Sequence, residues 1–585
     1  MSVKKYFLEY DYLASLINNY RYRPYQAEFS EKIYELMSSY KSVVAEAPTG
    51  YGKTLSYLIP IFELGRKTII STKTKQLMNQ ILFKDISIFR SIFGDKILKI
   101  NSLVGRRNYF CHYRYGKYIV PYSDFYSDVV NWAESVLDNK VITVTNSGFD
   151  NEIISKITAD SYQCIAGKCP YYAICSFYNA KELANSSDII ITNHHMLLAD
   201  LAMRTKFDSS YNFDFVEHIV FDEAHSLVDI FPTYLGEELS FHSVINFTKD
   251  NRSFIGEEIF RNINSKYKTI VSKYKNVNKF SEKMKTDCRY FIDELDKIFS
   301  KYLTDEEYSI FEKYRDTFEK IYQNEGVKIV ETGYDTITVK NIPITSDKKF
   351  TEGLFNSCIS ALMISATISF NGSFDYFFNE LDLGDNIEKI QLSPPENFIS
   401  QGKLFINNNF MEDIDEKKEF YSGLLKDMNG AAIIIFNSIA HMKEIYSFIE
   451  ENFKDKKLYY QTDDLTNILI DENSIVMGCS ILREGVDFAG KGVKYVIIDK
   501  LPFENISDIY VKAKIDHYEN CYGNAFLNYY LPRAVIFFKQ AVGRLIRNES
   551  DTGYWIILDG RVLTKNYGKY FLDVLKGAEL VDKIN

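Results

Sequence analysis

Nowhere does the chain carry the roughly 20 consecutive apolar residues that a membrane-spanning helix needs. Met1 to Tyr20 scatters charges and tyrosines where a secretory leader would hold a continuous apolar core. These absences argue against a membrane protein and predict a cytoplasmic one. Glycine (28) and proline (11) are scarce for 585 residues, and no tandem repeat or low-complexity tract appears. A surplus of positive charge is also missing: 79 acidic against 69 basic side chains give a net charge of −10. A phosphate backbone could therefore be bound only through a local basic groove, not through the overall field. In a reducing cytoplasm the eight cysteines have no disulfide framework to build.

What is present is an ordinary globular composition, 46% hydrophobic and 25% charged, in a chain too long for a single core. Short β-branched apolar runs recur, each ending in small or polar residues: 42–47, 67–72, 188–192, 218–222 and 362–367, then 431–437, 474–478, 495–499 and 554–559. Runs of this kind read as buried parallel strands with function at their carboxyl ends. Amphipathic stretches separate them, so the pattern predicts an α/β fold with two similar lobes, before and after about residue 390. Two segments break the alternation. Residues 105–178 hold a group of cysteines, and residues 240–345 read as helical. Phe291, Leu295, Ile298, Phe299 and Tyr302 share one helical face, and Thr304 with Glu307 forms a capping box opening a further helix.

Three short constellations carry chemistry. Ala45-Glu-Ala-Pro-Thr-Gly50-Tyr-Gly52-Lys53-Thr54 lies between a strand and a helix. Such a loop cradles a β-phosphate with backbone amides, Lys53 neutralising the β/γ-phosphates and Thr54 holding Mg²⁺. Ala47 stands where the strict pattern has glycine. Asp222-Glu223-Ala224-His225 ends a second apolar run, suiting Asp222 to magnesium and Glu223 to the attacking water; taken alone, it could be a solvated loop. Gln540-Ala-Val-Gly543-Arg544-Leu-Ile-Arg547 places two arginines one helical turn apart, which an arginine finger from a facing lobe requires. The alternative is a basic surface helix.

Further segments join these in order. Arg23-Pro-Tyr-Gln26 looks like an adenine-reading Q motif, residues 71–80 like motif Ia, Ser365-Ala366-Thr367 like motif III and residues 430–438 like motif IV. The stretch 478–490, with Glu484, Gly485 and Asp487, looks like motif V. Together they resemble the XPD/DinG family of superfamily 2 iron–sulfur helicases. Ser393-Pro394-Pro395 departs from the family's Ser-Pro-Phe. The resemblance implies two RecA-like parallel-sheet motor domains, the first (1–104, 179–239 and 346–390) interrupted by an iron–sulfur domain (105–178) and a helical arch (240–345). Residues 391–585 would form the second. It also implies a DNA track, 5′-to-3′ movement, unwinding of forked or 5′-tailed duplexes and work such as DNA repair. In such a motor, Arg23, Gln26, Gly50, Gly52, Lys53, Thr54, Asp222 and Glu223 would meet ATP from one side. Glu484, Gly485, Asp487, Gln540, Arg544 and Arg547 would close from the other.

Cys111 lies well before Cys164-x4-Cys169-Pro-Tyr-Tyr-Ala-Ile-Cys175. Four thiolates can hold one zinc ion or a [4Fe-4S] cluster, and zinc favours paired knuckles rather than three bunched ligands and one remote. The spacing resembles the DinG branch. Arg106 to Tyr115 interleaves cations with aromatic rings, a mixture suited to a single strand, although an ordinary surface of a tyrosine-rich protein would look similar. An RNA helicase, an ATP-gated clamp that does not unwind, and a redox sensor are the competing readings. Only about 20 residues precede Arg23, which argues against a fused nuclease.

Overall fold

The computed structural model describes residues 2–584 except 9–11, 18–19, 95–97, 146, 161, 206–210, 334, 394–397, 409–410, 412, 461–470, 480–491 and 548–549. In the first lobe, β1 (Val43–Glu46), β2 (Thr68–Thr72), β3 (Ile100–Ser102), β4 (Ile189–Asn193) and β5 (Val216–Asp222) join β9 (Cys358–Ser365) and β10 (Glu388–Gln391). They form one parallel sheet in the order β10-β1-β9-β5-β2-β4-β3. A three-stranded antiparallel sheet contains β6 (Glu237–Ser240), β7 (Val327–Thr332) and β8 (Ile337–Ile342). The second lobe holds β11 (Gly402–Ile406), β12 (Ala431–Ile435), β13 (Lys457–Tyr460), β14 (Ser474–Gly478), β15 (Val493–Ile498), β16 (Gly553–Ile557) and β17 (Glu579–Leu580). Its parallel order is β13-β14-β12-β15-β16-β11-β17.

Burial on both faces explains why these strands are continuously apolar. Along β12, Ala431, Ile433 and Ile435 enter one core with Val476, Trp555 and Ile557. The intervening Ala432 and Ile434 enter the opposite core with Ile475, Met477 and Ile556. The twofold alternation of a strand thus serves two helical layers at once. Each fully buried aliphatic side chain contributes about 1.5–3 kcal/mol.

The segment 240–345 is only partly helical. The helices Glu282–Tyr302 and Asp305–Gln323 bury Phe291, Leu295 and Phe299, then Phe311, Tyr314, Phe318 and Ile321, on their facing stripes. Thr304 caps the second helix by accepting from the Glu307 amide at 3.3 Å. The all-helical expectation fails at β7 and β8, a hairpin whose alternate residues Ile337 and Val339 close the same core. Among the described residues no helix is long and apolar enough to cross a membrane.

Candidate functional site

The chemistry-bearing segments follow four neighbouring strands of the first sheet, β1, β9, β5 and β2, and so leave from one edge. Ligands bind at that carboxyl edge in open parallel sheets. After β1, Gly50 and Gly52 adopt left-handed φ values of 78° and 77°, and Gly52 starts the helix Lys53–Leu64. Only glycine takes such angles without strain, and the resulting loop precedes a helix N-terminus, where an anion is stabilised. Arg23 donates to the Gly50 carbonyl at 3.0 Å and Gln26 to that of Gly52 at 3.0 Å.

At the end of β5, Tyr57 of the same helix donates to Asp222 Oδ2 at 3.0 Å. Burial, then the adjacent Glu223 charge, pushes the Asp222 carboxyl above its ordinary range. Burial also opposes charge on Glu223, but Lys53, His225 and Ser365 outweigh it and hold that carboxyl below its ordinary range. Ser365 Oγ donates to Glu223 Oε2 at 3.1 Å and lies 2.7 Å from His225 Nδ1. Glu223 itself has a φ of 59°, a strained conformation for a residue with a side chain.

The second lobe covers this edge. Its helix Leu531–Val542 sends Gln540 to Thr367 Oγ1 at 3.3 Å. Gly543 packs against Thr49, and the Arg547 carbonyl abuts Gly50. Arg544 and Arg547 do not lie on that helix, contrary to the helical-turn argument. The Val542 carbonyl accepts the Trp555 indole N–H at 2.9 Å. The chain then tightens into three-residue bonds, Arg544 N to Ala541 O and Leu545 N to Val542 O. The Arg547 amide binds the Asp551 carboxylate. Glu484, Gly485, Asp487 and Pro394-Pro395 lie outside the described residues.

Sequence reasoning overlooked the ion pairs that join the lobes. Glu46 accepts the Ile368 and Ser369 amides at 2.5 and 2.6 Å and meets Lys539 of the second lobe at 3.2 Å. Arg533 lies 2.6 Å from both Asp229 and Glu504, and Lys514 lies 2.7 Å from Glu380. A carboxylate closing an apolar strand, as Glu46 does, was the available signal.

Cys111 precedes the helix His112–Tyr118, Cys164 and Cys169 flank a short turn, and Cys175 precedes the helix Ser176–Asn185. All four are free and half-buried. Burial pushes Cys111 up to about 11, and the charges of Cys175 and Cys169 add to it. Cys169 is raised by burial and by Cys175 and Cys164. Among the described residues no group of three or more His, Cys, Asp or Glu is arranged to hold a metal ion. The interleaved stretch is largely structural: Tyr109 and Phe110 are buried, and Arg114 binds the Ser155 carbonyl and Asp250. Arg107 stays exposed although paired with Asp160.

Two parallel-sheet lobes meeting over a phosphate loop define a RecA-like motor. The model for a DEAD/DEAH box helicase matches residues 23–109, the DEAD_2 model 136–244 and that for a helicase C-terminal domain 422–578. The ATP-dependent DNA helicase YoaA of Haemophilus influenzae is 27% identical, with 98% of this chain and 96% of that protein covered. The ATP-dependent DNA helicase DinG of Photobacterium profundum is 23% identical, with 92% of each covered. A solved XPD helicase superposes with a TM-score of 0.60 at 16% identity, covering 96% of this chain and all of that one. The chain belongs to the XPD/DinG family of superfamily 2 helicases.

Proposed function

We propose that the chain is an ATP-driven DNA helicase of the cytoplasm that moves 5′-to-3′ on single-stranded DNA and opens forked or 5′-tailed duplexes, in DNA repair or related processing. The observation that carries this reading is the contact of the second lobe with the phosphate loop, Arg547 against Gly50 and Gly543 against Thr49. A triphosphate held there would be gripped from both sides. Lys53 would neutralise the β- and γ-phosphates, and Thr54 and Asp222 would hold the magnesium ion, which offsets phosphate charge. Glu223, kept ionised, would accept a proton from the attacking water. Gln540, Arg544 and Arg547 would meet the γ-phosphate from the second lobe, joined by Glu484, Gly485 and Asp487, and Arg23 and Gln26 would read the base. Opening and closing of the lobes would then step a strand across both.

Four free cysteines of one small domain are the number of thiolates that a [4Fe-4S] cluster takes, although among the described residues the structure does not gather them into a metal-binding group. Cys111, Cys164, Cys169 and Cys175 would hold it, and a bound cluster would cross-link the loops that carry them. Lys313 of the helical insertion donates to the Tyr162 and Cys164 carbonyls at 3.0 and 3.3 Å. Bracing of the cysteine domain would thus extend to the proposed arch.

The test uses anaerobically purified protein, with its visible spectrum recorded, on 5′- and 3′-tailed DNA duplexes and with single-stranded DNA or RNA as ATPase stimulant. Unwinding of the 5′-tailed duplex and stimulation by DNA are expected. Preferential stimulation by RNA would replace the track, and ATPase without strand displacement would leave a clamp. Lys53→Ala should abolish turnover in a folded protein; full activity in that variant would remove the phosphate loop from the mechanism.

A further inference from the structure

Glu46 is the last residue of β1, and the phosphate loop begins directly after it. Its carboxylate is buried and held from both lobes. Oε2 accepts the Ile368 and Ser369 amides at 2.5 and 2.6 Å, and Oε1 accepts the Ser369 hydroxyl at 2.7 Å. Those three donors belong to the first lobe. Lys539 Nζ of the second lobe donates to Oε1 at 3.2 Å and to the Ser369 carbonyl at 2.9 Å. Gln391 ends β10, just before the chain crosses to the second lobe, and donates to the Ser369 hydroxyl at 3.0 Å. Ser369, completely buried, thus lies between the phosphate loop, the crossover and the facing lobe.

The ion pairs that join the lobes differ in what their loss would leave behind. Glu380, in the helix Asp375–Leu381, bonds Lys514 and Tyr518 of the helix Ile509–Tyr522 at 2.7 Å each. That carboxylate is 3% exposed and the ammonium 5%, so parting them would strand two buried charges, which is strongly unfavourable. Lys539 is 20% exposed and can regain water. Glu46 keeps its three first-lobe donors when the ammonium leaves, so no buried acceptor is orphaned. The contact at Glu46 can therefore break and re-form as the lobes open and close, while the one at Glu380 holds.

What the detachable contact fixes is the stretch 365–369 at the end of β9. Ser365 donates to Glu223 Oε2 at 3.1 Å. Thr367 accepts from Gln540 at 3.3 Å, and Ser369 meets Lys539. Lys539 and Gln540 are neighbours on the helix Leu531–Val542, so one element of the second lobe grips the stretch at two points. Its other end touches the carboxylate that faces the attacking water.

We propose that Lys539 is a positioning residue for ATP hydrolysis: docked on Glu46 and Ser369, it fixes the stretch 365–369 and so sets Ser365 against Glu223 only when the lobes are closed. The proposal rests on reading Glu223 as the group that takes a proton from the attacking water. Nucleotide affinity is set by the phosphate loop, so loss of the docked ammonium acts on kcat rather than on KM.

The experiment measures kcat and KM for ATP, affinity for a fluorescent ADP analogue and the melting temperature. The proteins are wild type, Lys539→Met, Lys539→Arg, Glu46→Gln and the double variant of Glu46→Gln with Lys539→Met. Lys539→Met, similar in length but uncharged, should lower kcat about tenfold, with KM, ADP affinity and melting temperature near wild type. Lys539→Arg should recover most of the rate, because the charge is kept and a cavity of about 440 Å³ beside Lys539 gives the guanidinium room. On the Glu46→Gln background the Met substitution should lower kcat no more than about threefold, since the partner charge is already gone. A Lys539→Met protein with wild-type kcat, a loss that Arg does not recover, or the full loss on the Glu46→Gln background would overturn the role. A protein whose turnover survives Lys53→Ala would instead defeat the reading of the cleft itself.

Discussion

Gly50 of the phosphate loop and Arg547 of the second lobe are so close that a β-carbon on Gly50 would lie 2.5 Å from the Arg547 carbonyl oxygen and 2.5 Å from the Phe398 ring. Two residues almost 500 positions apart thus form one wall of the cleft.

Gly50→Ala is expected to be disproportionately damaging. The added methyl needs room that both neighbours occupy, and a left-handed φ costs a non-glycine residue about 1–2 kcal/mol. A rise in KM for ATP of about tenfold corresponds to 1.4 kcal/mol and should appear in steady-state kinetics, with far-UV circular dichroism unchanged. Wild-type kinetics would mean that this wall does not face nucleotide.

Arg533 is shared between Asp229 in the first lobe and Glu504 in the second, and its guanidinium also donates to the Tyr376 hydroxyl at 3.2 Å. Arg533→Ala removes the common partner and leaves two half-buried carboxylates uncompensated. Since both retain some solvent, a loss of about 1–3 kcal/mol is expected in denaturant unfolding, with weaker ATP binding. An unchanged midpoint would show that the pairs do not hold the lobes together.

Cys169→Ser should lose the brown chromophore and duplex unwinding while keeping part of the ATPase. The cysteine turns lie between β3 and β4, whereas the motor residues follow β1, β5 and β9, so the two activities should separate. Stoichiometric zinc in an actively unwinding wild type would overturn the cluster.

Acidification should destabilise the first lobe. His218 of β5 is buried beside Ser360 Oγ at 2.8 Å, and burial pushes it down to about 4; His194 is pushed down to about 3. Unfolded, each would take up a proton near pH 6.5, so below that pH the unfolded chain binds more protons and stability falls. For His218 alone the loss between pH 7 and pH 5 is about 2 kcal/mol. His218→Gln should flatten the pH dependence of the melting temperature; an identical slope would assign the effect elsewhere.

How far the sequence could be read varied with the kind of interaction. The buried strands were visible because burial on both faces leaves an unbroken apolar run, as in Ala431–Ile435, whose every residue is buried. The hairpin β7–β8 was missed inside a segment dominated by long helices, although Ile337, Val339 and Asn341 alternate inward. The aromatic and cationic stretch near Cys111 looked like a binding surface, yet packing turned Phe110 and Arg114 inward. Composition alone does not say which face of a segment is covered.

The phosphate loop, the acidic strand end and the order of the segments were set locally, because their chemistry depends on spacing within a few residues. Gly50, Gly52 and Lys53 must be neighbours to form a loop that opens a helix. The pairing of Glu46 with Lys539, the three-way contact at Arg533, the strained peptide of Glu223 and the end of the helix at Val542 arose only in the tertiary structure. Each joins groups from distant strands or from opposite lobes, and no periodicity along a chain records which distant residue will arrive beside a given one.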